Sequence, residues 1–171
     1  GVGMGTDHSE WANSKPKSLT GIDLTPRAIQ HTKKRFKLFG LKSDLKKGDA
    51  EKLPFLDSSF DLIYSWGVLH HSPNTETSIK EVYRVLRKGG IARIMIYHKY
   101  SLTGYMLWFR HALLRGRPFK SLESIYHDHL ESPGTKAYSK YEAEKMFSQF
   151  SQLDLKIQLS FGDLLEGSVG Q

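Results

Sequence analysis

A layered α/β domain built on a mostly parallel sheet is the fold this sequence predicts, and three observations predict it. Short apolar or β-branched runs (18–23, 60–66, 91–97) alternate with stretches whose apolar residues recur at helical spacing (26–39, 73–86). The connections between them are tight, which points to βαβ units with right-handed crossovers. Several runs also end on small or acidic residues, and the crevice beyond the carboxyl ends of the strands is where open parallel sheets bind ligands.

The chain opens GVGMG, with glycines at positions 1, 3 and 5. Glycines so spaced permit a sharp strand-to-helix turn and let the backbone approach a ligand where a Cβ would clash, though alone they fit a flexible terminus equally well. A polar stretch up to Ser14 is a short helix candidate. Residues 18–23, SLTGID, read as a strand ending on Asp23, and Thr25-Pro26 then supplies an N-cap and a first-turn proline. The helix that follows runs to about Phe39 and stops at Gly40, with Ala28, Ile29, Phe36 and Phe39 apolar and its basic positions turned to water. A carboxylate about twenty residues beyond a glycine turn is placed to accept hydrogen bonds from both hydroxyls of a ribose. The plainer alternative for Asp23 is a turn residue ahead of the cap.

Residues 43–48 form a weaker strand candidate that leads into Asp49-Ala50. The segment GDAEKLPFLDSSFDLIYSWGVLHH crosses Pro54, enters the run 60–66, and stops at Gly67 and two histidines. By the crevice rule, Asp49, Ser65 and His70-His71 face one pocket. Ile79, Val82, Tyr83 and Leu86 mark a helix over 73–86, stopped by Arg87-Lys88-Gly89-Gly90 ahead of the strand 91–97. From Ser101 the character changes. Residues 102–114 read as an amphipathic aromatic helix inserted after the fifth strand, a usual position for a lid. A loop from 118 to 134 carries His127, Asp128 and His129. A helix over 139–150 is signalled by Ser139 with Glu142 three residues on, and a strand over 153–161 closes the chain.

Composition bounds the function. A chain of 171 residues, 39% hydrophobic and 25% charged, is an ordinary globular composition that forms one domain over 1–171, with 101–138 as a lid insertion. There is no cysteine, which excludes disulfides, thiolate catalysis and Cys-based zinc sites. No apolar run approaches the roughly 20 residues of a membrane span and no signal segment opens the chain, so a cytoplasmic location is the plain reading. The net charge of +7 is spread among acidic residues without an aromatic-interleaved basic motif, which favours a solvated surface over a nucleic-acid site. His127-x-His129 has no third ligand at useful spacing, so no metal is expected.

Taken together, GVGMG, LTGIDLTPRAI, GDAEKLPF, SSFDLIYSWGVLHH and EVYRVLRKGG, in this order, resemble the class I S-adenosylmethionine-dependent methyltransferases, the broad group acting on small molecules and lipids. The resemblance implies a Rossmann-like methyltransferase sandwich with S-adenosyl-L-methionine as cofactor. It implies that Gly1, Gly3 and Gly5 pass under the methionine portion, that Asp23 holds the ribose hydroxyls, and that Leu24 lies against the adenine. Asp49 would accept from the adenine amino group while the Ala50 backbone pairs with a ring nitrogen, and Ser65 and Trp66 would line the methionine tail. The family's first strand and its terminal acid precede the glycine turn, where this sequence starts. The expectation is therefore a chain truncated before its first strand, the gap being filled by another segment or by a second subunit, a homodimer covering the exposed sheet edges.

Methyl transfer from a sulfonium is an in-line displacement, so alignment of the nucleophile and exclusion of water are the enzyme's main tasks. A general base is needed only for a weakly acidic acceptor such as a hydroxyl. His71 is the first candidate, ahead of His70, His127 and His129; a histidine bonded to nearby backbone is the bland alternative. The acceptor is expected to be a small molecule. A nicotinamide oxidoreductase shares the glycine turn and the ribose acid, but its G-x-G-x-x-G fingerprint fails because Thr6 follows Gly5. A non-catalytic methyltransferase-like module, acting in binding or assembly, stays open as the other reading.

Overall fold

The computed structural model describes residues 1–159. These residues form two compact units, the first comprising Gly1–Ser65 and Lys80–Arg93, the second Trp66–Ile79 and the chain from Ile94 onward.

In the first unit, Gly5 at φ 78° is the N-cap of helix α1 (Thr6–Asn13). Strand β1 (Thr20–Asp23) pairs in parallel with β2 (Asp44–Lys47), in a register running from Thr20 opposite Asp44 to Asp23 opposite Lys47. Helix α2 (Pro26–Leu38) is the crossover between them. It begins as its sequence dictates, with the Thr25 hydroxyl accepting from the Ala28 N–H at 3.3 Å and proline in the first turn. It buries Ile29, Thr32 and Phe36, spaced to lie on one face, while its lysines and arginines reach solvent. Each large apolar side chain so buried contributes roughly 1.5–3 kcal/mol. Helix α1 is held on both sides, by stacking of His8 on Phe36 (5.2 Å) and by the Tyr64 hydroxyl donating to Asp7 Oδ2 at 2.8 Å.

Strand β3 (Phe60–Trp66) pairs with β4 (Leu86–Met95) in a second two-stranded sheet, so the described strands pair two by two. Helix α3 (Thr75–Val85) is shorter than the 73–86 expected, and β4 starts at Leu86, five residues before the strand expected at 91. The Arg87-Lys88-Gly89-Gly90 stretch that reads as a helix stop is therefore strand. The reason is tertiary: the Arg87 guanidinium donates to Ser58 O at 3.1 Å and Asp61 Oδ1 at 2.7 Å, which lays it along β3.

In the second unit, a 3-10 turn (Leu69–His71) is followed, beyond β4, by helix α4 (Leu102–His111), a 3-10 turn (Leu113–Arg115), helix α5 (Leu122–His129) and helix α6 (Lys140–Met146). Helix α5 corrects the expectation of a loop over 118–134. Ser121 caps it by accepting from the Ser124 N–H at 3.2 Å, and Ile125 and Tyr126 anchor its buried face. Helix α6 carries the full capping box anticipated from Ser139 and Glu142. The strand expected over 153–161 does not form over 153–159, where no partner strand accepts it, and residues 160 and 161 lie outside the described residues. Among the described residues, no helix is long and apolar enough to cross a membrane.

Candidate functional site

The first unit brings the glycine turn and the acid of β1 together. Gly3 N–H donates to Asp23 Oδ2 at 3.0 Å across twenty residues, and Asp23 Oδ1 accepts from the Thr25 N–H (2.9 Å) and hydroxyl (2.8 Å). Partial burial works against ionisation of Asp23, but the hydrogen bonds from Thr25 and Gly3 outweigh it and hold the pKa below the ordinary carboxylate range. Three of its roughly four acceptor positions are filled from within the chain. The turn itself is fixed from α2: the Thr32 hydroxyl donates to Gly3 O at 3.1 Å and Arg35 Nε to Met4 O at 3.0 Å.

Glycine is required at position 5. Its φ is 78°, and a Cβ there would sit 2.8 Å from the Thr32 methyl carbon. Gly5→Val combines left-handed strain with a clash against a buried side chain, and is expected to lower stability by about 2–4 kcal/mol in urea unfolding. A midpoint within error of wild type would show that the turn is not held as described.

Asp49 lies just past the end of β2. Gly48 N–H donates to Asp23 O at 3.0 Å, which keeps the ends of β1 and β2 together. Asp49 Oδ1 accepts from the Glu51 N–H at 2.9 Å in a tight local turn. Leu24 is exposed and Ala50 partly so, whereas Ser65 is buried with no hydrogen-bond partner for its hydroxyl. Gly1 is exposed at the head of the turn.

Trp66 and His71 belong to the second unit, where Trp66 is about half exposed. His71 sits in a polar cluster. Its Nδ1 lies 3.1 Å from Thr135 Oγ1 and 3.3 Å from Ser132 Oγ, and its Nε2 lies 3.4 Å from Glu131 Oε2. Glu131 also accepts from the Tyr97 hydroxyl, whose pKa is raised first by burial and then by this bond. Glu131 adopts φ 46° just beyond the end of α5, a left-handed conformation that is unusual for a residue with a side chain. His70 is fully buried between the rings of His71 (4.3 Å) and Tyr97 (4.2 Å), and neither ring nitrogen has a partner. Burial, with the nearby His71 and Lys136 charges, lowers its pKa to about 3.

The other histidines are engaged elsewhere. His127 Nδ1 pairs with Asp128 at 3.0 Å, and the His129 ring stacks on His111 at 4.0 Å. Lys120, then His127, hold the Asp128 carboxyl down at about 2. Two residues apart on a helix, His127 and His129 cannot share a face. Sequence reasoning missed Tyr97, Glu131, Ser132 and Thr135. Only Tyr97, expected at the end of a strand, carried a usable signal.

A parallel βαβ unit with a glycine turn bonded to the acid at the end of its first strand is a nucleotide-binding class of fold. The chain belongs to the methyltransferase domain family, which matches residues 1–94. It is 47% identical over 75 residues to the phthiotriol/phenolphthiotriol dimycocerosates methyltransferase of Mycobacterium tuberculosis, a match covering 44% of this chain and 27% of that protein. Against 2-methyl-6-phytyl-1,4-hydroquinone methyltransferase 2 of Oryza sativa subsp. japonica it is 38% identical over 77 residues, 45% of this chain and 22% of that one. The matched stretch thus spans about a quarter of these relatives. Among solved structures, a SAM-dependent methyltransferase from Methanosarcina mazei superposes with a TM-score of 0.63 at 25% identity, over 86% of this chain and 74% of that one. The YcgJ protein of Bacillus subtilis gives a TM-score of 0.67 at 23% identity, over 86% and 57%, and shares the fold. The cofactor that goes with this family is S-adenosylmethionine.

The residues present suit that cofactor. Asp23 is held ionised as an acceptor, a Cβ at Gly3 would meet nothing within 4 Å on that turn, and Ser65 has a buried hydroxyl without a hydrogen-bond partner.

Proposed function

We propose that this chain is the cofactor-binding part of an S-adenosylmethionine-dependent methyltransferase acting on a small lipid-like or phenolic hydroxyl acceptor. The observation that carries the reading is the Gly3 N–H to Asp23 bond, which ties a glycine-rich turn to an ionised acceptor. Gly1, Gly3 and Gly5 give the methionine portion close approach, and Asp23 accepts from the ribose hydroxyls, exchanging its Gly3 bond for one of them. Leu24 packs on the adenine; Asp49 and the Ala50 backbone read its amino edge. Ser65 and Trp66 contact the methionine tail. The cofactor supplies an electrophilic methyl group on a sulfonium sulfur.

The acceptor class follows from the lipid and hydroquinone acceptors in the names of the curated relatives. A hydroxyl acceptor must lose a proton, and His71 is the group that takes it. The Thr135 hydroxyl donates to Ser132 O at 2.7 Å, so toward His71 it accepts; in the tautomer protonated on Nδ1, Nε2 is the nitrogen that takes the acceptor's proton. Once Nε2 is protonated, the Glu131 carboxylate beside it stabilises the imidazolium. His71 therefore acts as general base, with Thr135 and Glu131 as positioning residues.

Calorimetric titration with S-adenosylhomocysteine tests the cofactor half. Micromolar binding is expected for this chain, weakened about ten- to a hundredfold in Asp23→Ala, since a hydrogen bond to a charged partner contributes about 1.5–3 kcal/mol and one of the two ribose bonds replaces that of Gly3. Equal affinity in the variant would remove Asp23 from the site, and a folded chain that binds nothing would favour a non-catalytic methyltransferase-like module.

A further inference from the structure

We propose that the outward face of α4, together with the turn after it, docks on a bilayer surface carrying anionic lipids. Helix α4 has two opposed faces. One packs on α5: a Cβ at Gly104 would meet the Tyr126 hydroxyl, Trp108 Nε1 donates to Lys120 O at 2.7 Å, and His111 stacks on His129. At about 100° per residue, Leu102, Tyr105, Met106 and Phe109 fall on the opposite side. Among the described residues nothing covers these positions: all four are exposed, as are Leu113, Leu114 and Phe119 beyond them. Tyr105, Met106, Trp108, Phe109, Arg110 and Leu114 line an open groove of about 720 Å³.

The charge around this row selects the occupant. Residues 101–122 contain four basic residues, Arg110, Arg115, Arg117 and Lys120, and no acidic one. Lys120 is paired with Asp128, whereas the three arginines are exposed and have no ion pair among the described residues. An apolar ridge of aromatic and long aliphatic side chains flanked by unpaired arginines matches the layered chemistry of a membrane interface, acyl chains below and anionic headgroups above. A second copy of this chain would bring the same arginines against one another. The inference concerns the second unit alone and does not depend on methyl transfer.

The test is co-sedimentation of the chain with phosphatidylcholine vesicles and with vesicles containing one quarter phosphatidylglycerol, at 0.1 M and 0.5 M NaCl. Anionic vesicles are expected to retain at least about tenfold more protein, since three arginines near an anionic surface give on the order of a hundredfold at full strength. The preference should collapse at high salt and in Arg115→Glu/Arg117→Glu, two exposed positions whose replacement should leave the circular dichroism spectrum unchanged. Phe109→Asp should lose binding to both vesicle types, while titration with S-adenosylhomocysteine proceeds as in wild type. Equal retention by both vesicles, or by neither, would overturn the proposal. So would a dimer in light scattering that Phe109→Asp dissociates, which would assign the face to a second copy.

Discussion

His71→Ala is expected to lower methyl transfer to a phenolic acceptor by about 10²–10⁴-fold, the usual contribution of a positioned general base, with S-adenosylhomocysteine affinity within about twofold of wild type. The split matters because a merely structural histidine would move both. The cluster also ranks its members. Thr135→Val removes the hydroxyl that bonds His71 Nδ1, and Glu131→Gln removes the charge beside Nε2; each should cost about tenfold in turnover with little change in KM. Transfer of a tritiated methyl group to a hydroquinone, followed for the three variants, is the measurement. Turnover of His71→Ala within twofold of wild type would refute the assignment.

Acid should destabilise the second unit through His70. A folded-state pKa of about 3 lies well below the unfolded value of about 6.5, so between these limits the unfolded chain binds a proton that the folded one refuses. The stability tied to His70 is complete above pH 6.5 and is lost progressively as pH falls toward 3, amounting to about 3 kcal/mol between pH 7 and pH 4. His70→Leu fills the same space without a titrating group, and should be nearly neutral at pH 7 because both ring nitrogens are already unpartnered. Urea midpoints measured from pH 7 to pH 4 should fall steeply for wild type and much less for the variant; parallel slopes would mean that other groups carry the acid sensitivity. Asp23 acts in the same direction but in a lower window. Its depressed pKa confers stability present above the ordinary carboxylate value near 4 and lost only as pH falls through the folded value below it.

What the sequence disclosed was mostly what local rules govern. Thr25-Pro26 opening α2, Gly40 at φ 64° beyond its end and the Ser139/Glu142 capping box are decisions made within four residues, and each stands as read. The Gly3–Asp23 bond was also foreseeable, because a βαβ unit brings a turn and a strand end together at a characteristic separation of about twenty residues. The start of β4 was hidden, since Arg87 is drawn into strand by Asp61 and Ser58, twenty-six and twenty-nine residues earlier. The partners of His71 were hidden more deeply. Glu131 and Thr135 reach it across some sixty residues, and nothing in ESPGT marks either as a member of a site. His127 and His129, close in sequence but without a third ligand, have separate partners on the helix.

The contact at Gly104 fixes more than the identity of one residue. The Tyr126 hydroxyl that occupies its side-chain space also donates to Lys99 O at 2.6 Å, so α4 is held against α5 by a group that is itself tied down. Rolling α4 would carry Thr103 or Tyr105 toward that hydroxyl, and sliding it would break the Trp108 bond to Lys120 O. The apolar row on its far side is therefore presented in one orientation before anything touches it. Whatever surface meets it gains contact with little further loss of conformational entropy, the part of association that flexible loops have to supply at the moment of binding.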